Sequence, residues 1–271
     1  MKYKLVAMDM DGTLLNSKRS ITVDTLLAIK DAMKKGVKFT ISTGRPLLGI
    51  KKYLEILDLG DTPVITYNGA NVVNPITEEI LFSKDLISND ARKIYELGSK
   101  IDVLIVVWSN NTLYANMFDE RLESYRSLSG ATPVLITDFN EIVKQGITKI
   151  LWSGTESLIA KYKEELKNED FKNTTFVTSQ PIFLEFFNKD VNKGVSLDFI
   201  AKSCGIKQEE VVAVGDGLND YEMIEYAGLG VAMGNACEEI KKIANHITRT
   251  NDEDGIADVI YEKILEYNVL N

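Results

Sequence analysis

The sequence predicts an α/β protein with a Rossmann-like, doubly wound parallel sheet and a smaller α+β domain inserted into it. Short, almost continuously apolar segments recur near both ends of the chain, at 5–8, 37–41 and 211–214, and each precedes turn residues and a helical pattern. The middle of the chain, roughly 82–188, has amphipathic and aromatic strand patterns instead. A length of 271 residues is enough for two such domains.

The two outer parts of the chain supply the parallel sheet. Between their first two strands, a helical pattern over 22–35 ends at Gly36, a residue type that commonly follows a helix. Ligands bind at the carboxyl ends of parallel strands. Since Asp9, Thr43 and Asp216 each come just after an apolar strand, we expect these three side chains to share one crevice.

The inserted domain is predicted from the change of pattern in the middle of the chain. Its strand-like runs lie at 104–108, 112–114, 149–152, 174–177 and 182–187. The predicted boundaries assign residues 1–84 and 189–271 to a catalytic core and residues 85–188 to the insertion.

The charge of the chain limits its partners. Lys and Arg number 31 and Asp and Glu number 40, so the formal net charge is −9. A negative body disfavours nucleic acid and anionic membranes, and a phosphorylated ligand would need a local cation. The two cysteines, Cys204 and Cys237, form no disulfide framework, and the apolar run at 5–8 is too short for a signal peptide. We therefore expect a reduced, cytoplasmic protein.

The segment Asp9-Met10-Asp11-Gly12-Thr13 is the strongest chemical signal. Two carboxylates about 4 Å apart repel by roughly 1–4 kcal/mol at effective dielectrics between those of water and a protein surface. A hard divalent ion such as Mg²⁺, which prefers oxygen ligands, would relieve that repulsion. The alternative is a solvated turn at the end of a strand.

Three further segments predict anion or metal binding. Thr43 and Gly44 precede a helix start, where a hydroxyl and free backbone amides favour an anion. Lys193 begins a helix against the helix dipole, which a bound phosphate would explain. The loop 215–220 offers Asp216 as a metal ligand, with Asp220 supporting it. A plain helix cap, a solvated lysine and an Asx turn are the respective alternatives.

These segments occur in an order that resembles the haloacid dehalogenase superfamily of phosphatases, and within it the Cof-type sugar-phosphate phosphatases. The resemblance covers nearly the whole chain. Supporting stretches are Ile65-Thr66-Tyr67-Asn68-Gly69-Ala70, Val191-Asn192-Lys193-Gly194, Met223-Ile224-Glu225-Tyr226-Ala227-Gly228 and Asn251-Asp252-Glu253-Asp254-Gly255. The insertion between Thr43 and Lys193 is similar in place and length to the C2-type cap of this family.

The resemblance implies roles for the acidic residues. Asp9 would be the nucleophile, and Asp11 would protonate the leaving alcohol and later take a proton from the attacking water. Mg²⁺ would be held by the carboxylates of Asp9 and Asp216 and by the backbone carbonyl of Asp11. Asp220 would orient this metal site.

The resemblance also implies which residues bind the substrate. The residues that would bind the phosphoryl oxygens are Thr43, Gly44, Lys193 and Asn219. The side chains that would select the substrate are Arg45 and Asn68 on core loops and Glu185 in the insertion. The only histidine, His246, is assigned no catalytic role.

The function expected from these features is Mg²⁺-dependent hydrolysis of phosphate monoesters of small metabolites, with sugar phosphates foremost, through an aspartyl-phosphate. A phosphomutase would use the same intermediate, and a phospho-aspartate signalling receiver is an alternative that the insertion and Asp11 disfavour. The expected partner is a small phosphorylated metabolite, without nucleic acid or membrane. A monomer and a homodimer are both compatible with the sequence.

Overall fold

The computed structural model describes residues 1–266. The last five residues of the predicted core range 189–271 therefore lie outside the described part of the chain. Its strands are β1 Leu5–Asp9, β2 Lys38–Ser42, β3 Val64–Thr66, β4 Asn71–Val73, β5 Ile80–Ser83, β6 Leu104–Ser109, β7 Thr112–Ala115, β8 Val134–Leu135, β9 Lys149–Ser153, β10 Thr174–Gln180, β11 Phe183–Asn188, β12 Val211–Gly215, β13 Leu229–Ala232 and β14 His246–Ile247.

The helices alternate with these strands. They are α1 Val23–Lys34, α2 Lys51–Leu57, α3 Ser88–Gly98, α4 Glu120–Ser129, α5 Phe139–Lys144, α6 Glu156–Glu165, α7 Lys193–Ser203, α8 Tyr221–Tyr226, α9 Glu238–Ile243 and α10 Gly255–Val259, which continues as a π-helical turn, Ile260–Ile264. Short 3₁₀ helices occupy Leu47–Gly49, Tyr67–Gly69, Leu166–Asn168, Gln208–Glu210 and Leu218–Asp220. Within residues 1–266, no helix has the combined length and apolar character that crossing a membrane requires.

The chain divides into two compact units. The first comprises Met1–Gly44, Lys51–Phe82 and the described residues from Asn192 onward. The second comprises Arg45–Ile50 and Ser83–Val191. The placement of Arg45 corrects its expected position on a core loop. The 3₁₀ helix that follows Arg45 packs against α4, which draws this short segment into the second unit.

The first unit is built on an eight-stranded sheet in the order β14-β13-β12-β1-β2-β3-β4-β5. The strands from β14 to β3 pair in parallel, and β4 runs antiparallel to β3. Every residue of β1 and β12 is buried, as expected for central strands covered on both faces. Helix α1 begins after Thr22, whose hydroxyl accepts a hydrogen bond from the Thr25 amide, and Gly36 follows it with φ +87°. The eight-stranded sheet, parallel from β14 to β3, is the parallel sheet that the sequence predicts.

The second unit is built on a six-stranded sheet in the order β10-β11-β9-β6-β7-β8. Its pairs are antiparallel except for β7 with β8. One face packs against α3, α5 and α6 through a core that includes Ile105, Ile150, Trp152 and Phe186. Side chains alternate along each strand, so Trp108, Lys149, Leu151 and Glu185 belong to the opposite face, which we call the second face.

Candidate active site

The candidate active site lies at the carboxyl ends of three adjacent strands of the first unit. Strands β12, β1 and β2 are neighbours, and Asp9 at the end of β1 is in register with Ser42 at the end of β2. Thr43 and Asp216 directly follow β2 and β12. The three residues predicted to share a crevice are therefore on adjoining loops, because parallel strands end at one edge of the sheet.

Lys193 lies at the centre of this group and is completely buried. Its Nζ donates to Asp9 Oδ1 at 2.5 Å and to Asp220 Oδ1 at 2.6 Å. The side chains of Lys193 and Asp220 have no exposed area, and that of Asp9 is 8% exposed. Asn192 caps α7 by accepting from the Val195 amide, so Lys193 is held in the first helical position. The two carboxylates compensate for placing a cation at a positive helix end.

The burial of this group changes its proton affinities. Burial raises the pKa of Asp9 to about 7, against the lowering effect of Lys193 and with a smaller raising effect of Asp220. Burial alone would lower the pKa of Lys193, but Asp9 and Asp220 outweigh it, so the pKa of Lys193 is raised. Lys193 therefore stays charged at neutral pH, while one lysine does not fully offset the buried negative charge around it.

Asp220 uses both carboxylate oxygens within the protein. Oδ1 accepts from Lys193, and Oδ2 accepts from the backbone amides of Asp216 and Gly217 at 2.9 and 3.0 Å. This carboxylate therefore ties the loop after β12 to Lys193. The arrangement suits a residue that positions its neighbours.

Asp216 is held from the loop that follows β1. Thr13 Oγ1 donates to Asp216 Oδ1 at 2.8 Å, and burial raises the pKa of Asp216. Gly12 has φ +87°, and a Cβ there would collide with the Asp216 carboxylate. Asn235 Nδ2 donates to the Gly12 carbonyl at 2.8 Å. The sequence offered no signal for Asn235, and Thr13 was visible only as the last residue of the Asp9 motif.

The carboxylates form a compact cluster. One carboxylate oxygen from each of Asp9, Asp216 and Asp220 lies within 4.8 Å of the others. The predicted metal ligands were Asp9, Asp11 and Asp216. The cluster contains Asp9 and Asp216 of this set, and its third member is Asp220. Asp11 is exposed. An all-oxygen donor set with raised carboxyl pKa values fits a hard divalent cation, because that cation would offset the remaining negative charge.

Three of the four residues predicted to bind phosphate, Thr43, Gly44 and Asn219, lie around Asn68. The Thr43 carbonyl accepts from the Asn68 amide at 2.9 Å, and Asn219 Nδ2 donates to Asn68 Oδ1 at 3.0 Å. Asn68 has φ 57°, and a Cβ at Gly44 would press on its side-chain amide. Asn68 thus links the loops that carry Thr43 and Asn219.

Two predicted substrate residues belong to the second unit. Arg45 Nη1 donates to the Gly49 carbonyl at 3.5 Å, and Glu185 pairs with Lys149. His246 is half-buried on β14, and burial lowers its pKa. It lies on an edge strand of the sheet, and its lack of a catalytic role stays a prediction.

Comparison with known proteins identifies the family. The sequence pattern of the haloacid dehalogenase-like hydrolases matches residues 6–260. The chain belongs to this family. Phosphatase YwpJ of Bacillus subtilis is 32% identical and aligns over 94% of this chain and 97% of its own length. The 5-amino-6-(5-phospho-D-ribitylamino)uracil phosphatase YitU of the same species is 31% identical, over 96% of this chain and 97% of its own.

Solved structures agree with the sequence relatives. A haloacid dehalogenase-like hydrolase from Bacteroides thetaiotaomicron superposes with a TM-score of 0.84 at 30% identity, covering 96% of this chain and 99% of its own. The subclass IIB sugar phosphatase BT4131 superposes with a TM-score of 0.77 at 27% identity, covering 96% and 98%. The predicted family and fold class are confirmed, and the chain is a phosphoric monoester hydrolase of the haloacid dehalogenase type.

Proposed function

We propose that this haloacid dehalogenase-type phosphatase is Mg²⁺-dependent and hydrolyses phosphate monoesters of small metabolites, sugar phosphates foremost, through an aspartyl-phosphate on Asp9. The observation that carries the proposal is the buried ammonium of Lys193 between Asp9 and Asp220, beside the Asp216 carboxylate. It supplies the local cation that a phosphate site needs on a chain with a net charge of −9.

In the first step, a carboxylate oxygen of Asp9 attacks phosphorus and the bond from phosphorus to the leaving oxygen breaks. Asp11 gives its proton to that oxygen, so the product leaves as an alcohol. In the second step, Asp11 takes a proton from water, whose oxygen attacks phosphorus and releases Asp9 and inorganic phosphate. The exposure of Asp11 suits a group that serves both the leaving alcohol and the incoming water.

The carboxylates of Asp9 and Asp216 and the backbone carbonyl of Asp11 would hold Mg²⁺, which when bound supplies positive charge for the transferring phosphoryl group. Asp220 orients this set by holding the amide of Asp216. Thr13 fixes the Asp216 carboxylate through its hydroxyl.

The phosphoryl oxygens would be bound by Thr43, the amide of Gly44, Asn219 and Lys193. Lys193 has three N–H donors, and among the described residues Asp9 and Asp220 take two of them, so the third would donate to a phosphoryl oxygen. Asn68 orients the Asn219 amide by accepting from it. Donors that are positioned before substrate binds are the main contribution a protein makes to phosphoryl transfer, which supports these assignments.

We further propose that residues 85–188 select the substrate, with Arg45, Asn68 and Glu185 contributing. The names of two relatives support a phosphorylated sugar or sugar alcohol. One acts on 5-amino-6-(5-phospho-D-ribitylamino)uracil and the other is a sugar phosphatase. A cytoplasmic location and the choice between monomer and homodimer stay predictions.

The proposal is tested by phosphate release from a panel of sugar phosphates and p-nitrophenyl phosphate, with Mg²⁺ and with chelator. Appearance of free phosphate and a dephosphorylated sugar supports a hydrolase. A phosphomutase would return an isomeric sugar phosphate instead. A receiver would hold the phosphorylated aspartate for far longer than one turnover, and the family match to hydrolases disfavours it.

A further inference from the structure

A short segment after β13 contacts both loops that carry predicted Mg²⁺ ligands. We call residues 233–237 the bridging segment. Asn235 Nδ2 donates to the carbonyl of Gly12, in the loop after β1, at 2.8 Å. Two residues later, the Cys237 amide donates to the carbonyl of Asp216, in the loop after β12, at 3.1 Å. The bridging segment therefore holds these two loops, which are distant in the sequence, at a set spacing.

The neighbours of Asn235 fix the direction of its side-chain amide. Its Oδ1 accepts from the Asn251 backbone amide at 3.1 Å, while its Nδ2 donates to the Gly12 carbonyl. The reversed amide would set its NH₂ group against an N–H group and its oxygen against a carbonyl, so one orientation satisfies both neighbours. Asn251 is itself held, because its Nδ2 donates to the Leu15 carbonyl at 2.8 Å. Groups of the protein therefore aim the Asn235 donor at Gly12.

The backbone at Gly12 is a point where the loop after β1 can turn. Gly12 has φ +87°, and glycine has more conformational freedom to lose on ordering than any other residue. The peptide group before Gly12 carries the Asp11 carbonyl, and the peptide group after it carries the carbonyl that Asn235 binds. Holding the second group restricts rotation at Gly12, and it thereby restricts the direction of the Asp11 carbonyl.

Burial supports this part of the loop less than the part that follows. Residues 13–15 are buried, whereas Gly12 is only half-buried and Asp11 is exposed. Buried side chains in a close-packed interior hold their backbone in place, but an exposed stretch depends more on hydrogen bonds. The bond from Asn235 therefore acts where packing contributes least.

We propose that Asn235 is a positioning residue for the metal site, which holds the Asp11 carbonyl at the spacing from Asp216 that Mg²⁺ requires. This inference rests on the proposed function, in which the Asp11 carbonyl and the Asp216 carboxylate are Mg²⁺ ligands. Mg²⁺ demands near-ideal octahedral geometry, so a carbonyl that can rotate is a weaker ligand. Residues that orient metal ligands typically change metal affinity or activity about 10- to 100-fold when they are replaced.

The test compares Asn235→Ala with Asn245→Ala. The control is matched, because Asn245 is also exposed, belongs to the same unit and bonds the backbone of a glycine, accepting from the Gly230 amide at 2.8 Å. Asn245 joins the loop before β14 to β13 rather than the loops of the predicted Mg²⁺ ligands. Calorimetric titration with Mg²⁺ alone measures the dissociation constant without turnover. Thermal melting in EDTA shows whether each variant is folded, and p-nitrophenyl phosphate hydrolysis gives the Mg²⁺ concentration for half-maximal rate.

We expect the Mg²⁺ dissociation constant of Asn235→Ala to rise about 10- to 100-fold. The Mg²⁺ concentration for half-maximal hydrolysis should rise by a similar factor. The loss should appear in Mg²⁺ affinity rather than in kcat at saturating Mg²⁺, because a bound ion itself holds the carbonyl. The Asn245→Ala control should bind Mg²⁺ within about 2-fold of the wild type, as expected for an exposed substitution away from the site.

Two results would overturn the inference. The first is an Asn235→Ala protein that binds Mg²⁺ as tightly as the wild type. The second is an equal loss of Mg²⁺ affinity in Asn235→Ala and Asn245→Ala, which a general loosening of the unit would produce. A wild-type protein that neither binds Mg²⁺ nor needs it for hydrolysis refutes the proposed metal dependence itself, and that outcome is distinct because it is read without any variant.

Discussion

Replacing Lys193 with Met isolates the energetic role of the buried cation. The ammonium lies 2.5 Å from an oxygen of Asp9 and 2.6 Å from an oxygen of Asp220, so those oxygens are about 5 Å apart at most. Two unit charges at that separation repel by about 3 kcal/mol at an effective dielectric of 20. Removing one member of a buried ionic group costs about 3–5 kcal/mol. We therefore expect Lys193→Met to lower the free energy of unfolding by about 3–5 kcal/mol at pH 8.

The stability lost in Lys193→Met should be greater at high pH than at low pH. Burial already raises the pKa of Asp9 to about 7, and removing Lys193 removes the main group that opposes this. A carboxyl group with a folded pKa above its unfolded value of 3.8 binds more protons in the folded state. Stability of the variant should therefore fall as pH rises from about 4 through 7. Lowering the pH to 5.5 should recover part of the loss, because protonated Asp9 no longer repels Asp220.

Urea unfolding in EDTA at pH 5.5 and pH 8 measures both effects. Lys202→Met is the control, since Lys202 is on the same helix and pairs with Asp198 at 2.6 Å, but its side chain is 75% exposed. That variant should change stability by no more than about 0.5 kcal/mol. A Lys193→Met protein as stable as the wild type at pH 8, or one that gains stability as pH rises from 5.5, would refute this electrostatic reasoning.

Three further predictions concern the metal, the nucleophile and the loop after β1. Phosphate release from p-nitrophenyl phosphate should stop in EDTA and return with Mg²⁺, and full turnover in excess EDTA would contradict the metal dependence. Asp9→Asn should lower kcat by at least about 10³-fold, and retained turnover would place the nucleophile elsewhere. Asp11→Asn should also lower kcat severely, and its slowly hydrolysing phosphoenzyme should be detectable by mass spectrometry. Gly12→Ala should reduce the rise in melting temperature that Mg²⁺ causes, because the alanine Cβ would displace the Asp216 carboxylate. An unchanged response to Mg²⁺ would show that the close contact between residue 12 and Asp216 has no role in metal binding.

The sequence by itself determined the parallel sheet and the chemistry at its edge. Apolar strands that end at or just before Asp9, Thr43 and Asp216 predict that these residues share one edge of the sheet, because parallel strands buried on both faces end at the same edge. The strands of the second sheet were also visible locally, since apolar and aromatic residues cluster along β6, β9 and β11. These features needed no knowledge of contacts distant in sequence.

Only the tertiary structure decided which charges meet. The segment around Lys193 by itself favoured a solvated surface lysine, and the contact of Lys193 with Asp9 spans 184 positions. Arg45 was expected on a core loop but groups with the second unit, because the 3₁₀ helix after it packs on α4. The links from Asn235 to Gly12 and from Lys149 to Glu185 also join residues distant in sequence. Such pairings depend on how whole elements pack, and burial then decides whether a charge is paired in the protein or solvated by water.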